Sequence, residues 1–264
     1  VVQGKHQREP VSQMMSKGMM ELTGAPSATD AWRFFFEPGD VVGIKVNPVG
    51  QPYLISAPEV MQAIVAGLES AGVKRTNIWA YDRYEAEFRS GGFANWLPDG
   101  VRWTSATVRS VNGLQLDMDR YDRDMYMEMA LVAKGGDPTN AHHRRSYVAN
   151  FISKQVNKVV TLGVVKHHQS AGATIALKNI SHGFVNNVAR SHVSSSNNAC
   201  GMFIPTVVDL PVFRQKVVLH VIDGIMAAYH GGPGRKVGRY LWEHKTMYFA
   251  TDPVAVDTVG LSVI

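Results

Sequence analysis

The stretch from residue 41 to residue 81, VVGIKVNPVGQPYLISAPEVMQAIVAGLESAGVKRTNIWAY, decides the fold. Val41–Val46 is short, β-branched and bounded by Gly39 and Pro48, the pattern of a buried strand. Ser56-Ala57-Pro58-Glu59 combines a capping-box pair with a proline in the first helical turn. Val60, Met61, Ile64, Val65 and Leu68 then fall on one helical face, and Gly72 stands where a C-terminal cap belongs. Ile78–Tyr81 reads as the next strand, with Asp82 just past it. Strand, helix and strand at this spacing imply a parallel pair joined by a right-handed crossover.

The same unit recurs downstream. Lys158–Val165 (KVVTLGVV) runs directly into Lys166, His167 and His168, and Ser170 is placed to cap a helix through Thr174, Ile175, Leu177 and Ile180. Lys216–Ile222 ends at Asp223-Gly224, and Thr246–Ala250 ends at Asp252-Pro253, an N-cap followed by a first helical residue. The expected fold is α/β: a mainly parallel sheet flanked by helices in three layers, in one domain spanning 1–264. A helical lead covers about 1–38, with Val11, Met14, Met15, Met19 and Leu22 at helical spacing and a second short helix near Thr29–Phe36. A surface insertion covers about 109–145. Around it, Val101–Val111, the Asn112-Gly113 turn and Leu114–Met118 read as an edge hairpin. Met-rich helices at Met14–Met20 and Met125–Met129 are expected either to pack on the core or to offer a surface to a protein partner or an oligomer.

Composition narrows the function. The 264 residues are 45% hydrophobic and 19% charged, which excludes a disordered or collagen-like chain. No apolar run approaches the roughly 20 residues of a membrane-spanning helix. Lys and Arg number 27 against 22 acids, a net charge of +5, yet no basic run marks a nucleic-acid tail, so a small anionic ligand suits the balance better. Cys200 is the one cysteine, so an internal disulfide, an all-cysteine iron–sulfur cluster within this chain and any CxxC motif are excluded; the cofactor is otherwise unspecified.

In an open α/β sheet, ligands bind beyond the carboxyl ends of the strands. Applied here, the rule brings Asn47, Asp82, Lys166, His168, Asp223 and Asp252 to one edge. Lys166, His168 and Asp223 are the candidate catalytic groups, with His168 as acid or base and Asp223 assisting. Lys45, Asn47, Asp82, Lys178, Asn179 and Arg190 are the candidate substrate-binding groups, because ammonium and guanidinium groups suit a carboxylate or phosphate. A divalent ion held by His168, Asp82 and Asp223 is the alternative, opposed by the adjacent Lys166 ammonium, so a metal-free site is expected. The Gly231-Gly232-Pro233-Gly234-Arg235 loop is placed to cover a ligand. No GxxxxGK[ST], GxGxxG after the first strand, GxSxG or HExxH occurs, which removes the familiar nucleotide, serine-hydrolase and zincin templates.

Several of these residues, taken in order, resemble a bacterial family. They are Gly43-Ile44-Lys45-Val46-Asn47, Ser56-Ala57-Pro58-Glu59, Lys166-x-His168, Ser170-Ala171-Gly172-Ala173-Thr174, Ala176-Leu177-Lys178-Asn179, Arg190-x-His192, Ile222-Asp223-Gly224-Ile225 and Asp252-Pro253-Val254-Ala255-Val256-Asp257. The ordered set is similar to domain of unknown function 362, over about residues 30 to 264. The resemblance puts polar residues at Lys45, Asn47, Lys166, His168, Lys178, Asn179, Asp223 and Asp257 without assigning them a reaction. It implies a subtype without the ferredoxin-type cysteine cluster, exported by a twin-arginine signal to the periplasm or beyond. Two function classes follow: an enzyme or binding protein for a small anion, or a non-catalytic accessory subunit of an exported redox or surface assembly.

Overall fold

The computed structural model describes residues 6–107, 113–192 and 198–264. In chain order, α1 (Arg8–Thr23) and α2 (Ala28–Arg33) precede β1 (Val42–Lys45), α3 (Pro58–Ser70), β2 (Ile78–Tyr84), α4 (Glu85–Ser90), α5 (Phe93–Trp96) and β3 (Arg102–Thr107). Then come β4 (Tyr121–Glu128), α6 (Ala141–Arg144), β5 (Arg145–Ala149), β6 (Lys158–His168), β7 (Gly172–Thr174) and α7 (Leu177–Phe184). The chain ends with α8 (Cys200–Val208), α9 (Pro211–Lys216), β8 (Val217–Ala228), β9 (Leu241–Ala250) and α10 (Pro253–Leu261).

Alternating side chains of β1 explain the layering. Val42 and Ile44 face α1, α2 and α3, where they join Met15, Met19, Trp32, Ile64 and Leu68 in one buried cluster. On the opposite face Phe151, Ile180, Phe184, Phe203 and Phe213 form a second cluster beneath α7, α8 and α9. Each such side chain contributes on the order of 2 kcal/mol by leaving water. Between these layers the strands order β3–β2–β1–β6–β8–β9; the first five are parallel, β9 is antiparallel outside β8, and β7 is antiparallel on the end of β6. This is the mainly parallel, helix-flanked α/β sheet that the strand and helix pattern implied. No described helix is long and apolar enough to cross a membrane.

The structure departs from the sequence reading at several places that matter for the site. Ser56 does not cap α3: its hydroxyl accepts from Asn47 N and donates to Leu162 O, each at 2.8 Å. Ala57 is the N-cap residue, and its N–H is held by the Asp223 carboxylate at 3.2 Å. Ser170 does not cap α7 either. Gly172, at φ +80°, lets the chain turn back after His168 into β7, and α7 starts only at Leu177. There the Asp257 carboxylate accepts from Ala176 N at 2.6 Å and Leu177 N at 3.2 Å.

The expected edge hairpin is also different. Residues 108–112, including the Asn112 half of its turn, lie outside the described residues, and β3 is a parallel edge strand. The hairpin of this region is the separate antiparallel pair β4–β5, whose Tyr121, Met127 and Tyr147 pack into the cluster beneath α7. Met125–Met129 therefore belongs to a strand and its end, not to a helix. Met127 is buried, as are Met15 and Met19 of α1, so these methionines face the core.

Arg190 holds this hairpin in place. Its guanidinium is buried and donates to Met127 O at 3.3 Å, Met129 O at 3.2 Å, Leu131 O at 3.1 Å and Ser146 Oγ at 3.0 Å, and also to Arg144 O. Burial lowers its pKa to about 10, and no carboxylate among the described residues hydrogen-bonds to it. A lysine cannot reach this fan of carbonyls, so Arg190→Lys leaves several acceptors unpaired. It should lower the unfolding free energy by about 3 kcal/mol in urea titration; a change below about 0.5 kcal/mol, the size of an ordinary surface substitution, would contradict this role.

Candidate functional site

Lys45 is the first residue of the site and ends β1. Its ammonium points away from α3 and donates to Val46 O at 2.6 Å, Asp82 Oδ1 at 2.7 Å and Asn179 Oδ1 at 2.9 Å. The α7 backbone passes close over it: a Cβ on Gly183 would lie 2.1 Å from Lys45 Cε, so only glycine fits there. The helix is pinned in that position by Tyr81, whose ring stacks on Phe151 and Phe184 and whose hydroxyl donates to Gly183 O at 3.1 Å. With α7 so fixed, Lys178, Asn179 and His182, one helical turn apart, face the ends of β1 and β2.

Together these groups line a cavity of about 180 Å³. Lys45, Asn47, Asp82, His168, Lys178 and Asn179, all expected from the sequence, are in its wall. Lys166 sits just behind, fully buried, donating to Asn47 Oδ1 at 2.7 Å and to Val49 O. Pro233 of the glycine-rich loop also reaches the wall.

Asp223 and Arg190 are not in the wall. Asp223 lies within β8, not at its end, and holds Ala57 N, Ile225 N at 3.1 Å and His6 Nε2 at 3.2 Å. Arg190 is spent on the hairpin carbonyls. Asp252 is at the opposite edge because β9 runs antiparallel to β8, and it caps α10 through Val254 N and Ala255 N. The metal alternative loses its geometry with Asp223 so placed and Asp82 taken by Lys45. Among the described residues, the metal-ligand side chains whose donor atoms converge are instead His182, His192 and Cys200.

Arg83, Tyr84, Glu87, Thr174 and His182 complete the wall and were not singled out from the sequence. His182 was legible, because it lies four residues after Lys178 on the same helix. Arg83, Tyr84 and Glu87 were hidden by the strand boundary: the polar pair Asp82-Arg83 reads as a strand end, whereas β2 continues to Tyr84.

The wall is electrostatically unusual. Arg83 Nε, Glu87 Oε2 and Thr174 Oγ1 are buried without a hydrogen-bond partner among the described residues. Buried polar groups are nearly always paired, so three orphans around one cavity mark a place for a ligand. Burial lowers the pKa of both Lys166 and Lys178 to about 7, and raises that of Glu87. His168 is different: its Nδ1 accepts from Ser170 N at 3.1 Å and Ala171 N at 3.3 Å, while burial and Lys178 hold its pKa far below the usual imidazole range. At neutral pH this pairing makes it an uncharged imidazole with Nε2–H free to donate.

A wider depression of about 890 Å³ lies between α7, α8, α9 and the start of α10. Its wall is largely apolar, and its ionised groups are engaged, Asp252 as a cap and Asp209 with Arg214. The smaller cavity at the strand ends is the candidate site.

No curated protein matches this chain. The fold is similar to that of a crystal structure of a Thermotoga maritima protein, with a TM-score of 0.52 and 11% identity, over 97% of this chain and 58% of that one. The chain thus spans less than two thirds of that protein's length, and the likeness is one of fold. The model of a family described as a domain of unknown function, DUF362, matches residues 42–262, from the first strand of the sheet into the C-terminal helix, and the chain belongs to that family.

Proposed function

We propose that the cavity binds a small organic anion bearing a hydroxyl or carbonyl oxygen, and that Lys178 exchanges a proton with it. The observation that carries this reading is the set of unpaired polar groups aimed at one small space. Lys178 lines the cavity, is 8% exposed and has no hydrogen-bond acceptor among the described residues. A buried ammonium without a counterpart is costly, and a bound carboxylate or phosphate would supply one. Arg83 Nε adds a second donor for the anionic group, while Glu87 and Thr174 suit the neutral oxygen. Cavity size limits the ligand to about six water volumes, the scale of a short carboxylate or a phosphate.

A lysine with a pKa of about 7 is equally able to give and to take a proton at neutral pH, the condition for acid–base work. His168 would then donate a hydrogen bond to the ligand, and Lys166 acts as a positioning residue that holds Asn47 and Val49. The accessory-subunit alternative draws on exposed methionine faces, and the burial of Met15, Met19 and Met127 takes support from it.

Thermal unfolding with inorganic phosphate and a panel of small 2-hydroxy and 2-oxo carboxylates tests the proposal. At least one should raise Tm; saturation at one hundred times Kd corresponds to about 2.7 kcal/mol. Lys178→Met, close in volume but uncharged, should abolish the rise while keeping the protein folded. A panel without effect, or a variant that responds like the parent, defeats the reading.

The same site fixes a pH dependence. Above pH 7 both Lys166 and Lys178 lose charge in the free protein, and an anion favours their protonated forms. Binding must then take up protons, so affinity should fall as pH rises through 7, by as much as about tenfold per pH unit for each lysine involved. Calorimetric titration in buffers of different ionisation enthalpy reads this directly, and proton release on binding would be the wrong sign.

A further inference from the structure

We infer that His182, His192 and Cys200 form a binding site for a thiophilic divalent ion of the zinc class. This does not rest on the anion reading, since none of the three is needed for it. His182 comes from the last turns of α7, His192 follows the short turn 188–191, and Cys200 opens α8, so three separate segments bring their donors together. One ligand atom from each lies within 4.8 Å of the other two. Cys200 Sγ is 3.6 Å from His192 Nε2. With zinc–sulfur and zinc–nitrogen bonds of about 2.3 and 2.0 Å, a tetrahedral angle separates S and N by about 3.5 Å, so this pair already has the span of two ligands on one ion.

The surrounding hydrogen bonds orient the rings as second partners of metal ligands do. His192 Nδ1 meets Ser191 Oγ at 2.5 Å, and this hydroxyl donates to Val188 O at 2.7 Å. Ser191 therefore accepts from Nδ1–H, leaving Nε2 as the unprotonated nitrogen of the ring; Cys200 Sγ lies 3.9 Å from Nδ1 and 3.6 Å from Nε2, so a turn of the ring aims Nε2 at an ion shared with the sulfur. His182 Nδ1 meets Ser181 Oγ at 3.0 Å, and its Nε2 meets Ser191 Oγ at 2.9 Å. Ligation by Nε2 requires the ring proton on Nδ1, where it is donated to Ser181 Oγ, and replaces the Nε2 contact with Ser191 by the ion. The His182 and His192 rings pack edge to face, at 90° with centroids 5.2 Å apart.

A thiolate with two neutral imidazoles suits zinc better than the oxygen-seeking magnesium or calcium. Burial pushes the Cys200 thiol up and Lys178 offsets only part of this, so the ion itself must displace the thiol proton; the thiolate charge then offsets part of the repulsion between Lys178 and a dication. Three protein donors leave a fourth position open, the pattern of zinc sites that act on a ligand and not only on the fold. His182 also lines the cavity, so the ion would border it and add positive charge to its wall.

The test uses the full chain, stripped of metal, titrated with cobalt(II) in the absence of any added anion. One equivalent should give thiolate-to-cobalt charge-transfer absorption and the strong visible bands of a four-coordinate ion, both erased by zinc. Cys200→Ser should lose the charge-transfer band, and His192→Gln should weaken cobalt binding at least tenfold. Apo unfolding midpoints of the variants establish that they fold. Because Cys200 is the one cysteine, the unaltered protein gives a second readout: zinc should slow its reaction with a thiol reagent and a chelator should restore it. A pale six-coordinate spectrum, a band that survives in Cys200→Ser, or thiol reactivity indifferent to zinc would overturn the site.

Discussion

Everything at the strand ends depends on where the ammonium of Lys45 is held. It makes three hydrogen bonds, to Val46 O, Asp82 Oδ1 and Asn179 Oδ1, and an ammonium has three protons to give. A buried charge is costly unless it is paired, and this one ties β1, β2 and α7 together through its partners. Gly183 is the steric counterpart, since any side chain there would drive α7 off the lysine. The position of Lys178, one helical turn before His182, follows from this contact.

Three lysines in one small region then differ by what the protein gives them. Lys45 has three acceptors and Lys166 has two, Asn47 Oδ1 and Val49 O. Lys178 has none among the described residues, although it is nearly as buried. Burial costs all three the same kind of desolvation energy, so the one left uncompensated is the one that gains most from an anion. Charge alone could not have ranked them. The ranking comes from counting acceptors, and for the same reason Arg190, whose donors are all used, is structural despite its charge.

The parallel sheet was legible because buried strands such as Val42–Lys45 and Val159–Val165 are apolar runs with sharp ends, and the parallel pairing of β1 with β2 follows from the crossover helix between them. The crevice was legible for Asn47, Asp82 and His168 through the strand-end rule, for Lys178 and Asn179 through the helix that follows the Lys166–His168 strand, and for Lys45 through the family resemblance. The strand-end rule failed for Asp252 because it presumes a parallel strand and β9 is antiparallel. It failed for Asp223 because β8 runs on past it to Ala228, with Asp223 serving Ala57 across the sheet. Local capping signals misled in the same way at Ser56 and Ser170. The carboxylates that meet the starts of α3 and α7 come from residues 166 and 81 positions away, a distance no sequence window covers.

The His182, His192 and Cys200 group was illegible for a related reason. Metal motifs that can be read in a sequence keep pairs of ligands two to five residues apart on one turn or helix, where local geometry alone fixes them. Here the spacings are ten and eight residues, and the donors meet only because α7 packs on α8 and the chain between them turns back at 188–191. The packing has its origin in the same place as the crevice: Tyr81, Phe151 and Phe184 set α7 on the sheet, and Lys45 sets how closely it lies. His182 belongs to both groups, facing the cavity and Ser191. A single helix register therefore governs the unpaired lysine on one side and the three converging donors on the other, and any substitution that lifts α7 acts on both at once.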